Sequence, residues 1–142
     1  MWPQKSLFLA YSLTSFLAKR FGYCRRMDLR ALEEEVRRFA GERDWDQFHS
    51  VRNLLLALVG EVGELSELLQ WVSDAEVSTW LEAGGRERFA EELADVLLYL
   101  VRLADKTDVD LSDAAVRKLK VNGEKYPVEL SRGSSQKYDE LK

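Results

Sequence analysis

The stretch Val51–Val72, VRNLLLALVGEVGELSELLQWV, decides how the chain is read. Leu54, Leu58, Glu61, Leu65, Leu68 and Val72 follow one another at spacings of four and three. That spacing predicts a helix with a single buried seam. One member of the seam is a carboxylate. Glu61 sits between Leu58 and Leu65, and Glu64, three residues on, points to the same place. Glu67 continues the run, but each step of three falls about 60° short of a full turn. It is expected to leave the cluster and reach the surface.

A second long helix is predicted over RERFAEELADVLLYLVRLADKT, Arg86–Thr107. Phe89, Leu93, Val96, Leu100 and Leu103 form its apolar seam, with Glu92, Asp95 and Tyr99 beside it. The chain thus carries ExxE on one helix and ExxD on another. Packed antiparallel, the two helices bring four carboxylates face to face. Four unpaired buried charges would exceed a domain's margin of roughly 5–15 kcal/mol, so a cation must compensate. An all-oxygen set favours Mg²⁺, Mn²⁺ or Ca²⁺ over zinc. Di-iron bundles use ExxH pairs, and the one histidine, His49, lies outside both pairs, which leaves Mg²⁺ as the preferred ion. The plainer alternative is a pair of solvated helix faces, with Arg88 and Arg102 serving Glu92 and Asp95. One ExxE would not rise above it; two pairs, one inside an apolar seam, do.

Working outward, Asp28 caps a helix that ends near Gly41, with Leu29, Leu32, Val36 and Phe39 in phase. RDWDQFHS links it to the central helix, capped by Ser50 or Asp46. SDAEVSTWLEAGG is a short helix broken at Gly84-Gly85, with Trp80 read as packing. DLSDAAVRKLKVNGEKY is the last helix, stopped by Pro127. The tail VELSRGSSQKYDELK is read as a polar loop or arm. No alternation of strand type appears, so the fold class is all-α, a bundle of four to five helices completed by oligomerisation.

With 142 residues, 46% apolar and 32% charged, the chain suits one globular domain. Two prolines and eight glycines leave room for long helices. The net charge of −4 gives no nucleic-acid footprint, and no apolar run is long enough to cross a membrane. A single cysteine, Cys24, forbids an intrachain disulfide and fits a reducing compartment. Residues 1–27 carry Lys5, Lys19, Arg20, Arg25 and Arg26 and no acid. They read as an N-terminal extension or an organellar targeting segment. The domain is then 28–126 and the tail 127–142. The expected compartment is the cytoplasm, with a mitochondrion or plastid as the alternative if the N-terminal segment targets.

ERDWDQFHSVRNLLLALVGEVGELSELLQW, EELADVLLYLVRLA, KLKVNGEKYP and GSSQKYDEL together resemble the MazG-like all-α nucleoside triphosphate pyrophosphatases, over roughly residues 29–141. The likeness is greatest to members that hydrolyse dCTP. It implies Mg²⁺-dependent hydrolysis of a (d)NTP, dCTP or a modified dCTP first among them, to the monophosphate and pyrophosphate, in a homotetramer. The family's metal ligands fall on Glu61, Glu64, Glu92 and Asp95, with Glu61 or Glu64 as the residue that activates water. Its substrate contacts fall on Trp45, Asp46, Gln47, Phe48, His49, Trp71 and Tyr99, and more loosely on Lys118 and Asn122. The departure is Val36, where dCTP-hydrolysing members carry a histidine.

The residues themselves suit that chemistry. Trp45, Phe48, Trp71 and Tyr99 offer faces for base stacking, and His49 offers a hydrogen bond. Lys118, Lys125, Arg132 and Lys137 offer positive charge for phosphates, and Ser134 and Ser135 stand in the same tail. No GxxxxGK[ST] motif occurs, which excludes a P-loop mechanism. The rival readings are a non-catalytic helical oligomer that senses nucleotides or binds partners, and a related pyrophosphatase with another base preference.

Overall fold

The computed structural model describes residues 28–141. The expectations for residues 1–27, Cys24 included, fall outside them. Among the described residues every regular element is helical. The first helix, α1 (Leu29–Gly41), starts where the Asp28 side chain accepts from the Ala31 amide. A 3₁₀ turn at Trp45–Gln47 follows. Next come α2 (Val51–Glu67), capped by Ser50, and the four-residue α3 (Val77–Trp80). The wide turn Leu81–Gly85 leads from α3 into the long α4 (Arg86–Lys106). The chain then forms α5 (Leu111–Lys125), capped by Asp110, and the short α6 (Val128–Ser131). The described residues divide into two compact units, one ending at Thr107 and the other starting at Asp108.

In the first unit α2 and α1 both pack against α4. Leu54, Val36, Ala40, Val101 and Ala104 are its buried apolar residues. The seam predicted for α2 is the face turned inward: Leu54 is buried and Leu58, Glu61 and Leu65 are half-buried, as are Leu68 and Val72 just beyond the helix. The seam predicted for α4 is only partly inward. Leu93 and Leu100 are exposed. The line that faces inward is Glu92, Asp95, Tyr99 and Arg102, with the same spacing of three and four. Five apolar side chains on α2, Val51, Leu55, Leu56, Val59 and Val62, also remain exposed.

Two boundaries differ from expectation. The central helix stops at Glu67 rather than Val72. Ser66 Oγ donates to the Val62 carbonyl at 2.7 Å, a local bond that competes with the helical ladder. The chain then tightens through three-residue turns, Leu69 amide to Ser66 carbonyl and Val72 amide to Leu69 carbonyl. Trp71 therefore lies beyond the helix. In the tail, residues Val128–Ser131 are helical rather than loop. Pro127 leads in, and Ser131 Oγ donates to its carbonyl at 2.7 Å.

The glycine pair breaks the α3–α4 connection as expected. Gly84 has φ 102°, open to glycine at no cost. Gly85 is buried against the Trp80 ring, where an added Cβ would come to 2.5 Å. Trp80 also meets Phe89 edge-on at 6.4 Å. This contact fixes the start of α4, and with it the phase at which Glu92 and Asp95 turn inward.

Candidate functional site

Glu61 of α2 and Glu92 and Asp95 of α4 converge: one oxygen from each lies within 4.8 Å of the others. Glu61 Oε2 is buried and has no hydrogen-bond partner. Burial and then the charges of Asp95, Glu64 and Glu92 push the Glu61 carboxyl up to about 7. Burial, Glu92, Glu64 and Glu91 push Asp95 up to about 6. Glu92 is raised by burial, Glu64 and Glu91, and the Arg88 guanidinium offsets only part of this. Glu64 is exposed and stands outside the tight trio, yet its charge acts on all three members. Tyr99, half-buried one turn beyond Asp95, is pushed up to about 12 by burial and by Glu61, Asp95 and Glu64, so its phenol keeps its proton.

Three inward carboxylates, each raised by burial and by neighbouring acids, one with an unpartnered oxygen, form a site in deficit of positive charge. The donors are all oxygen, which suits a hard divalent cation. Glu61, Glu92 and Asp95 are the residues placed to hold it, with Glu64 adjoining.

The segment from Trp45 to His49 lies between α1 and α2. Trp45 is half-buried and meets Phe39 edge-on at 5.8 Å and His49 at 6.1 Å. Gln47 is exposed and folds back to donate to the Asp44 carbonyl at 2.9 Å and its side chain at 2.8 Å. Phe48 is exposed, and the Asn53 side chain donates to its carbonyl at 3.0 Å. Trp71 is 90% exposed. In the second unit Lys118 is exposed and Asn122, one turn on along α5, is half-buried. There Tyr126 and Tyr138 meet edge-on at 6.1 Å, with Lys125 Nζ 4.8 Å from the Tyr138 ring. Val36 is buried in α1.

A second cluster was not foreseen. Arg102 is buried at 3% exposure, and it pairs with Asp46 and Asp105 rather than with Asp95. Lys106 Nζ also reaches Asp46 at 3.0 Å, and Arg37 Nε reaches Asp105 at 2.8 Å. Arg102–Asp105 is an i,i+3 pair within α4, but Arg102–Asp46, Lys106–Asp46 and Arg37–Asp105 join residues 56 to 68 positions apart, beyond any local spacing. Only the polar line 92–95–99–102 on α4 hinted that Arg102 turns inward.

The model of the MazG-like family matches residues 57–141, which hold the trio, the C-terminal part of α2 and all of α4. The chain belongs to the MazG-like family. It is 56% identical over 116 residues to dCTP pyrophosphatase 1 of Rattus norvegicus, and 55% identical over 118 residues to that of Homo sapiens. Each match takes in 80% of this chain and 66% of the relative, just under two thirds of the relative's length. Among solved structures, a crystal structure of a pyrophosphatase from Archaeoglobus fulgidus DSM 4304 is similar, with a TM-score of 0.67 and 34% identity. That match covers 74% of this chain and 97% of the archaeal one.

Proposed function

We propose that this chain is a Mg²⁺-dependent nucleoside triphosphate pyrophosphatase that splits dCTP, or a modified dCTP, into the monophosphate and pyrophosphate. The observation that carries the reading is the inward trio Glu61, Glu92 and Asp95 with its unpartnered Glu61 oxygen, in a chain so similar to dCTP pyrophosphatases. Glu61, Glu64, Glu92 and Asp95 would hold the ion. When bound, Mg²⁺ supplies charge neutralisation for a polyanionic substrate and for the pyrophosphate that leaves.

The protein's own groups do the rest. Glu61 or Glu64 accepts the proton of the attacking water through a carboxylate oxygen. One O–H bond breaks, the water oxygen joins the α-phosphorus, and the α–β anhydride oxygen departs with the pyrophosphate. Tyr99, neutral throughout, donates from its hydroxyl without adding charge. Trp45, Phe48 and Trp71 stack against the base, worth roughly 1–3 kcal/mol each, while Asp46, Gln47 and His49 meet its polar edge or the sugar. Lys118 and Asn122 meet the phosphates. The exposed apolar row Val51, Leu55, Leu56, Val59 and Val62 supports assembly of several copies, as a homotetramer, through α2. The buried Val36 offers no hydrogen bond, and this favours, as a second reading, the same chemistry on another base.

The test is product analysis: the full chain with Mg²⁺, each canonical NTP and dNTP, and 5-methyl-dCTP, separated by chromatography. Monophosphate and pyrophosphate, released fastest from dCTP or its 5-methyl form, are expected. Turnover of a different base would move the specificity and keep the chemistry. Release of orthophosphate, or no turnover by folded protein with Mg²⁺, would overturn the reading.

A further inference from the structure

The second charged cluster has its own logic. The Arg102 guanidinium is buried and spends each of its three nitrogens on a different partner. Nη1 donates to Asp105 on its own helix, Nη2 donates to Asp46, and Nε donates to His49 Nδ1 at 3.1 Å. An arginine side chain has only donors and does not release its proton in a protein. The atom facing Nε must therefore be a bare imidazole nitrogen. That leaves the ring's proton on Nε2, because a ring protonated at both nitrogens would set N–H against N–H.

The charges around the ring act in the same sense. Burial, Arg102 and Lys106 disfavour the imidazolium, and only Asp46 favours it. The net result holds His49 below the 6.5 of an ordinary imidazole. The Trp45 ring meets the imidazole edge-on at 6.1 Å, and the Asn53 side chain pins the adjoining Phe48 carbonyl from α2. The segment 45–49 is thus tied at one side by α4 and at the other by α2.

We propose that Arg102 is a positioning residue for the nucleotide: it ties the segment 45–49 to α4 and sets His49 as the neutral tautomer with its proton on Nε2. The ring then offers a hydrogen-bond donor, and neither a cation nor an acceptor, which selects a carbonyl oxygen or bare ring nitrogen on the ligand. The ligand part of this inference rests on the proposed pyrophosphatase reading; the tautomer does not.

His49 is the chain's only histidine, so a tag-free, ¹⁵N-labelled sample gives one unambiguous ring. Long-range ¹H–¹⁵N correlation spectra are expected to show Nδ1 bare and Nε2 protonated, with titration below 6.5. In Arg102→Lys, which keeps the charge and loses the planar fork, and in Arg102→Met, the spectrum shifts toward a mixture of tautomers. KM for the nucleotide rises about tenfold, the loss of roughly one hydrogen bond, while kcat stays within twofold. The parent's KM holds level from pH 8 to 6.5, and the variants' KM bends within that range. A protonated Nδ1 in the parent, or the parent's spectrum retained in Arg102→Lys, would overturn the proposal. If Arg102→Met does not fold, the parent and Arg102→Lys decide. The expected spectrum without nucleotide turnover would sink the pyrophosphatase reading and leave the tautomer assignment standing; normal turnover with the wrong tautomer would do the reverse.

Discussion

Two charged clusters share the inner side of α4, two turns and about 10 Å apart along its axis. Around Asp95, carboxylates from two helices face one another, and a buried oxygen goes without a partner. Around Arg102, the two carboxylates Asp46 and Asp105 are interleaved with Arg37, Arg102 and Lys106, and the central guanidinium has each nitrogen in use. What separates the two clusters is charge balance. The balanced cluster satisfies its own charges and ties the segment 45–49 to α4. The unbalanced one holds charge that the fold alone does not satisfy, and there a ligand is called for.

The sharpest way to break this contrast is to neutralise one member of each. Glu61→Gln should cost about 10²–10³-fold in kcat/KM with Mg²⁺ and dCTP, yet raise the thermal midpoint of the metal-free protein at pH 8 by a few degrees. Scanning calorimetry and steady-state rates on the same sample check both halves. Equal activity, or a lower midpoint, would mean that the trio is not a site in charge deficit. Arg102→Met should do the opposite to stability and lose about 1–3 kcal/mol, since it removes one of the two partners of the buried Asp105 carboxylate and leaves only Arg37. Urea unfolding measures it, and a loss under about 1 kcal/mol would reduce the cluster to a surface ion pair.

The pH dependence separates the clusters next. Glu61 and Asp95 are raised from 4.5 and 3.8 to about 7 and about 6. Between those bounds the metal-free folded state keeps protons that the unfolded chain has released. The stabilisation they give is fully present below about pH 4 and lost as pH rises through 7. His49, lowered, acts in the other direction below 6.5, but one imidazole opposes three raised carboxylates. Metal-free protein should therefore melt at lower temperature at pH 8 than at pH 5.5, and millimolar Mg²⁺ should narrow that gap from the alkaline side. A midpoint that rises with pH without Mg²⁺ would contradict it.

Smaller effects sharpen the picture. Gly85→Ala drives a Cβ into the Trp80 ring and should cost about 1–3 kcal/mol, read by urea unfolding. Trp71→Ala, at a 90% exposed position, should change stability by under about 0.5 kcal/mol while raising KM several-fold. If stability moves and KM does not, Trp71 is packing.

Much of this was legible in the sequence. The carboxylate at a seam position of α2, the caps at Asp28 and Ser50, and the break at Gly84-Gly85 are local signals, and local signals fix local structure. On α4 two lines of residues share the same spacing, one apolar and one polar. Pattern favours the apolar line, but partners decide: at one end of the polar line Arg102 turns inward to Asp46, and at the other Glu92 and Asp95 face Glu61, a like charge that no local pattern announces. The early end of α2 turned on a Ser66 hydroxyl that competes for the Val62 carbonyl, a choice that composition does not reveal. Arg102 was out of reach because two of its three partners, Asp46 and His49, lie more than fifty residues away along the chain.

The stranded oxygen of Glu61 has an evolutionary side. Any change that neutralises one acid of the trio relieves repulsion in the metal-free fold, so for folding alone, losing the site is a downhill path. A descendant of this chain freed from its task would drift toward a sturdier, inert bundle. The presence here of all three acids, at odds with the stability of the fold that carries them, is the signature of selection by something other than folding.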